Sequence, residues 1–70
     1  MLCMKIRIRK DILVEVEKPR LQETWYKELK KWDELNVVSI IDFGKESKII
    51  TYDGSIYFNV PNESFEVLGS

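Results

Sequence analysis

The chain has 70 residues, a formal net charge of −1 and no histidine. This length allows one domain with one small hydrophobic core. The single cysteine, Cys3, excludes an intrachain disulfide, and the missing histidine removes the commonest zinc ligand and acid–base group. Apolar residues form 44% of the chain, which argues against a disordered tail, and the small net charge does not predict binding to polyanions.

These limits lead to several expectations about the chain as a whole. We expect one cytoplasmic domain over residues 1–70, with loose ends at 1–3 and 69–70 and with Cys3 as a reduced thiol. No apolar run is long enough to cross a membrane. No residue pattern predicts a catalytic site, a metal site or a cofactor, so the chain is not expected to be an enzyme.

The first predicted elements are strands. From Lys5 to Glu17, β-branched residues alternate with other residues, which is typical of a strand with one buried face. Lys10-Asp11 interrupts the alternation and predicts a bend or a turn.

Residues 19–35 change to a helical period. An apolar stripe recurs at spacings of four, four, three and three, which predicts an amphipathic helix. Pro19 suits its first turn and Asn36 suits a left-handed exit. Alternation of Trp25, Lys27, Leu29 and Lys31 also fits a strand, and this alternative stays open. The stripe consists of Leu21, Trp25, Leu29, Trp32 and Leu35.

Residues 37–60 predict a meander of three strands, over 37–43, 48–52 and 55–60. Asp53-Gly54 predicts a two-residue type I′ hairpin turn, in which both central residues need a positive φ. The alternation predicts Ile56, Phe58 and Val60 on the buried face of the last of these strands, so Tyr57 is expected to be exposed.

The last residues predict a short end to the domain. Pro61 lacks a backbone N–H and therefore ends the third strand of the meander. Residues 62–64 predict a single helical turn, and residues 65–68 predict a short closing strand.

Three segments resemble SH3-like small barrels, a group that includes KOW-type ribosomal and transcription domains. The segment 8–16 (IRKDILVEV) is similar to their opening strand, with Lys10 where they usually have glycine. The meander is similar to their central strands, and 60–68 (VPNESFEVL) to their helical turn and final strand. The resemblance implies a mostly β fold, namely a five-stranded barrel with one amphipathic helix inserted after the first strand. Such barrels bind proteins, RNA or DNA, so the resemblance does not decide the function.

Eight residues are candidates for a partner surface. Two arginines project from the first strand, three lysines lie on the polar side of the predicted helix, and three tyrosines are expected on faces opposite the core. If the helix packs near the first strand, the cations form one positive surface, although neighbouring acids also fit an ordinary solvated face. The candidates are Arg7, Arg9, Tyr26, Lys27, Lys30, Lys31, Tyr52 and Tyr57.

Two functions are compatible with these features. The first is a small non-catalytic protein-interaction module, an adaptor, accessory subunit or inhibitor that docks on a larger protein complex. The alternative is a nucleic-acid-binding small barrel that uses the basic first strand and helix. A protein partner is favoured because the second half of the chain is acidic, and self-association stays open.

Overall fold

The computed structural model describes residues 4–69, and the loose ends expected at residues 1–3 and at Ser70 lie outside the described residues together with Cys3. Gly69, which belongs to the end expected to be loose, is the last residue of a strand. The strands are β1 Met4–Ile8, β2 Ile12–Lys18, β3 Glu23–Leu29, β4 Glu34–Asp42, β5 Glu46–Thr51, β6 Ile56–Pro61 and β7 Phe65–Gly69. Two 3₁₀ turns, η1 Pro19–Leu21 and η2 Asn62–Ser64, lie between strands.

All seven described strands belong to one sheet, in the order β3-β2-β6-β5-β4-β1-β7. Each neighbouring pair is antiparallel. The sheet is open, because β3 and β7 stand at its two edges and do not pair with each other. The expected five-stranded closed barrel is therefore wrong in both strand number and closure.

The predicted helix over residues 19–35 is also wrong. Only η1 is helical, and Gln22, with φ 53°, ends it and leads into β3. Thr24, Trp25 and Tyr26 favour strands, and β3 pairs with β2 along all seven of its residues. The sequence was compatible with a helical period and with the alternation of a strand. Pairing with β2 therefore selects the strand.

The core lies on one face of the sheet, which we call the inner face, and every described strand contributes to it. The largest fully buried apolar side chains are those of Ile6, Ile8, Leu29 and Ile49. Since residues directly opposite each other in a ladder share a face, the pairing of Leu29 with Ile12 sets the orientation of β3. The core also contains Val14, Val16, Val37, Tyr57, Val60 and Phe65.

A bulge in β6 reverses the faces that the sequence predicts there. Val60 pairs with Ser47 and Tyr57 pairs with Ile49, so β6 has one more residue than β5 across this interval. Asn59 lies within the interval and has φ 54°. An extra residue moves the residues after it to the other side of the sheet.

As a result, Tyr57 and Val60 share the buried face, and Tyr57 is only 4% exposed. Phe58 and Ile56 are half-buried on the opposite face. The prediction that Ile56, Phe58 and Val60 form the buried set, with Tyr57 exposed, is wrong for this reason.

The hairpin between β5 and β6 lies where Asp53-Gly54 predicts it, but it is not a type I′ turn. Gly54 has φ 89°, whereas Asp53 is not among the residues with positive φ. The Asp53 carboxylate accepts hydrogen bonds from the Thr51 hydroxyl and from the Ser55 backbone N–H at 3.2 Å. These bonds hold the turn in its observed form.

Several local predictions are confirmed. Lys10-Asp11 separates β1 from β2, residues 62–64 form η2, and a short strand follows η2. These elements depend on nearby residues alone, which is why the sequence was sufficient to locate them.

Candidate functional site

The turn between β3 and β4 is held against the end of β1 by backbone hydrogen bonds. The Trp32 N–H donates to the Ile8 carbonyl oxygen at 2.7 Å, and the Ile8 N–H donates to the Asp33 carbonyl oxygen at 2.8 Å. Within the turn, the Asp33 N–H donates to the Lys30 carbonyl oxygen at 3.0 Å. The turn is therefore closed by its own hydrogen bond and attached to β1 through Trp32 and Asp33.

Two aspartate carboxylates accept hydrogen bonds from backbone N–H groups of this turn. The Lys30 N–H donates to Oδ2 of Asp33 at 3.0 Å, and the Lys31 N–H donates to Oδ1 of Asp11 at 2.7 Å. Asp11 belongs to the β1–β2 connection, so its carboxylate ties two turns together. Short acidic side chains commonly accept backbone hydrogen bonds in turns in this way.

Trp32 occupies a backbone conformation that bulky residues rarely adopt. Its φ is 79°, and its side chain is 64% exposed. Glycine is the usual residue at such a position, because a Cβ atom costs about 1–2 kcal/mol there. The chain thus presents a large indole ring to solvent from a strained but firmly held turn.

Two cations line a shallow depression together with this ring. The Lys31 Nζ lies 5.1 Å from the centroid of the Trp32 ring. Arg9 lines the same shallow depression, together with Glu66. Within residues 4–69, neither Arg9 nor Lys31 forms an ion pair. We call Arg9, Lys31 and Trp32 the Trp32 cluster.

The other predicted cations are not part of this cluster. Arg7 lies between Glu34 and Glu66, with Nη–Oε distances of 3.3 and 3.5 Å. Lys30 pairs with Glu28 at 3.1 Å, and this hydrogen-bonded carboxylate raises the pKa of Lys30. The structure therefore does not bring the predicted arginines and lysines into one positive surface.

Lys27, Tyr52 and Tyr57 line a separate cleft of about 320 Å³ on the inner side of the sheet. The Lys27 Nζ lies 3.4 Å from the Tyr57 hydroxyl oxygen and 5.9 Å from the centroid of its ring. Asp53 also lines the cleft. Because the Thr51 hydroxyl and the Ser55 backbone donate to it, the pKa of Asp53 is lowered to about 2.

This cleft is poorly suited to acid–base chemistry. A carboxylate with a pKa near 2 is a weak proton acceptor at neutral pH, and general bases work best with a pKa close to the working pH. Within residues 4–69, no group of three or more potential metal-ligating side chains is arranged to hold an ion. The cleft can accept polar groups by hydrogen bonding to Lys27 and the hairpin.

Tyr26 lies apart from both sites, on the outer face of β3, where its side chain is 70% exposed. Sequence reasoning proposed Arg9 and Lys31 as candidate contact residues but assigned Trp32 to an apolar stripe. The residues that could have indicated a turn there are Asp11 and Asp33, but the partner of Asp11 is 20 residues away.

A comparison with known protein families, curated proteins and solved structures finds no match to this chain. Among residues 4–69 there is no helix with the length and apolar character that a membrane crossing needs. The geometry of the site is therefore the basis on which a function can be proposed.

Proposed function

We propose that this protein is a small, non-catalytic protein-interaction module and that its partner contacts the Trp32 cluster. One observation carries the proposal, namely an exposed tryptophan held at φ 79° beside two cations that form no ion pair within residues 4–69. As an adaptor, accessory subunit or inhibitor in the cytoplasm, such a module would dock on a larger complex through this turn.

The energetics of the turn support a binding role. A bulky side chain at positive φ costs about 1–2 kcal/mol, and its indole is mostly in solvent, so the isolated protein gains little from it. Binding energy in protein interfaces is concentrated in a few residues, among which tryptophan and arginine are enriched. Trp32 and Arg9 are residues of this kind in adjacent turns.

The charges indicate the chemistry of the partner. Arg9 and Lys31 would pair with carboxylates, and Trp32 would pack against an apolar or aromatic side chain between them. We therefore expect an acidic segment that carries at least one large apolar residue. Complementary charge would also accelerate association at low salt.

The test uses Trp32→Gly, which removes the indole but places the preferred residue at this φ. The tagged wild-type chain and the variant are used to capture proteins from the native host, and the captured partner is then titrated as a purified protein. We expect at least a tenfold weaker Kd for Trp32→Gly, since truncating a hot-spot residue costs about 2 kcal/mol or more.

The matched control is Phe43→Ala. Phe43 is 70% exposed in the turn between β4 and β5, so it tests whether removing any exposed aromatic weakens binding. Phe43→Ala should bind like the wild type. Equal affinity of the wild type and Trp32→Gly for every captured partner contradicts the proposal.

The Trp32 cluster also favours a second candidate, binding of single-stranded nucleic acid. Nonspecific single-strand sites combine aromatic rings that stack on bases with cations that contact phosphates. The net charge of −1 and the acids around Arg7 and Lys30 count against it. Titration of fluorescently labelled oligo(dT) and oligo(U) at two salt concentrations separates the candidates, since only nucleic-acid binding gives salt-sensitive saturation that Trp32→Gly abolishes.

A further inference from the structure

Strand β3 leaves one side of the sheet open to a further strand. In the described part of the chain its only strand neighbour is β2, and six of its seven residues are exposed. The β2–β3 ladder is regular from Lys18 opposite Glu23 to Ile12 opposite Leu29. No proline, glycine or bulge blocks this edge, so its outward N–H and C=O groups form a template for strand pairing.

The side chains of β3 are divided between two faces. Trp25 lies opposite the buried Val16, so Glu23, Trp25 and Lys27 share the inner face. Thr24, Tyr26 and Glu28 share the outer face. Along the inner face, an acid and a base thus stand on either side of a tryptophan.

Both charges on this face lack an ion-pair partner. Within residues 4–69, neither Glu23 nor Lys27 forms a salt bridge, although Lys27 lies 3.4 Å from the Tyr57 hydroxyl oxygen. Two other charged residues near this edge are engaged, since Lys18 pairs with Asp53 at 3.7 Å and Lys30 pairs with Glu28 at 3.1 Å.

We infer that two copies of this chain pair through their β3 edges, antiparallel, with Trp25 opposite Trp25 on the two-fold axis. This register places Glu23 of each copy opposite Lys27 of the other, so it forms two equivalent ion pairs. Directly opposed residues in antiparallel strands interact strongly enough to select a register. The same surface patch serves both copies, as a closed two-fold dimer requires.

Neighbouring registers do not give this match. A two-fold axis through Tyr26 would place Glu23 opposite Leu29, and an axis through Lys27 would place two lysines opposite each other. Only the Trp25 register pairs both acids with both bases. The partner at this edge is therefore a second copy of the chain, and the Trp32 cluster is left for a different protein.

The test measures the monomer–dimer equilibrium by sedimentation over a range of protein concentrations. The wild type should form dimers at micromolar concentration. In a Lys27→Glu dimer, the side chains at positions 23 and 27 that face each other across the interface are all acidic. In a Glu23→Lys dimer, they are all basic. Each single variant should therefore weaken the dimer at least tenfold, while circular dichroism shows the wild-type fold.

Mixing the two variants provides the sharpest test of the register. A Glu23→Lys chain has two bases on this face and a Lys27→Glu chain has two acids, so their mixture should form a heterodimer in equal proportions. The double variant Glu23→Lys/Lys27→Glu should recover the homodimer. Neither recovery is expected if the dimer uses another register or another surface.

Lys45→Glu and Glu46→Lys are the matched controls. These exposed residues precede or begin β5, far from β3 in the sheet order, and form no ion pairs within residues 4–69. They carry the same charge changes and should leave dimerisation unaltered. A wild type that stays monomeric, or single variants that dimerise like the wild type, overturns the inference. Trp32→Gly should still dimerise, so failure of this inference and failure of the proposed function are distinguishable.

Discussion

The two edges of the sheet differ in how they are protected. At one edge, β7 follows η2 directly and pairs with β1 through a ladder that is irregular between Lys5 and Ile6. At the other edge, β3 is longer, its ladder is regular, and it presents Trp25 and Tyr26. Natural proteins usually disrupt or shorten an exposed edge to prevent association. β7 therefore has the features of a strand that ends a sheet, whereas β3 has the features of a strand that can accept a further strand.

The edges also differ in their attachment to the core. Phe65 is buried at the start of β7, and η2 just before it is fixed by several side-chain hydrogen bonds. In β3, Leu29 is the only buried residue. Apart from its ladder with β2, the position of β3 therefore depends on one apolar anchor and on the turn after it.

Leu29→Ala should have the largest effect. Leu29 is 2% exposed, and removing such a side chain costs about 3 kcal/mol through lost burial and the remaining cavity. Urea denaturation measures the loss, and hydrogen exchange should show β3 amides losing protection before those of β7. The control Leu13→Ala, on neighbouring β2 and 68% exposed, should change stability by less than about 0.5 kcal/mol. Equal losses of protection at both edges would remove the proposed contrast.

Asn62→Ala should cost less and should act at the other edge. The Asn62 amide donates to Asp42 and to the Gly44 carbonyl oxygen, and its Oδ1 accepts from the hydroxyl of Ser47, which is 1% exposed. Leaving that buried hydroxyl without a partner costs about 2 kcal/mol. Chemical denaturation checks this value. Adding Ser47→Ala should restore part of the loss, whereas strict additivity would show that the two side chains are not coupled.

Trp32→Gly should barely change stability, or should raise it by up to about 1 kcal/mol. The matched variant Trp32→Ala also removes the indole but keeps a Cβ atom at positive φ. Glycine should therefore be more stable than alanine by about 1 kcal/mol, as measured by the urea midpoint. An alanine variant as stable as the glycine variant would show that the turn stores no backbone strain.

The smallest effect is expected at the Asp53 hairpin, away from both edges. Its pKa is about 2 in the folded chain and 3.8 ordinarily, so the ionised carboxylate stabilises the fold above pH 4. This contribution, below about 1 kcal/mol because the side chain is largely in solvent, is lost as the pH falls towards 2. Thermal melts at several pH values should show a shallower acid dependence for Asp53→Asn. An unchanged acid dependence would assign the loss to other carboxylates.

The limits of sequence reasoning are clearest in residues 19–35. Trp25 and Leu29 fit both a helical stripe and an alternating strand, and pairing with β2 settles the choice. In β6 a single extra residue at Asn59 exchanges the faces of Tyr57 and Phe58, and period-two alternation contains no sign of it. The sequence made Arg9 and Lys31 candidates for a partner surface but not Trp32, because the exposure of Trp32 depends on a turn held by β1.

Local sequence patterns were sufficient to predict that the fold is mostly β, where β1 and β2 are separated, where the β5–β6 hairpin lies and where η2 forms. These features result from alternation and from the conformational preferences of a few neighbouring residues. The tertiary structure alone decided that residues 23–29 form an edge strand, that the sheet stays open and that Trp32 is exposed. Those features depend on hydrogen bonds and packing between residues far apart in the chain, which local preferences do not encode.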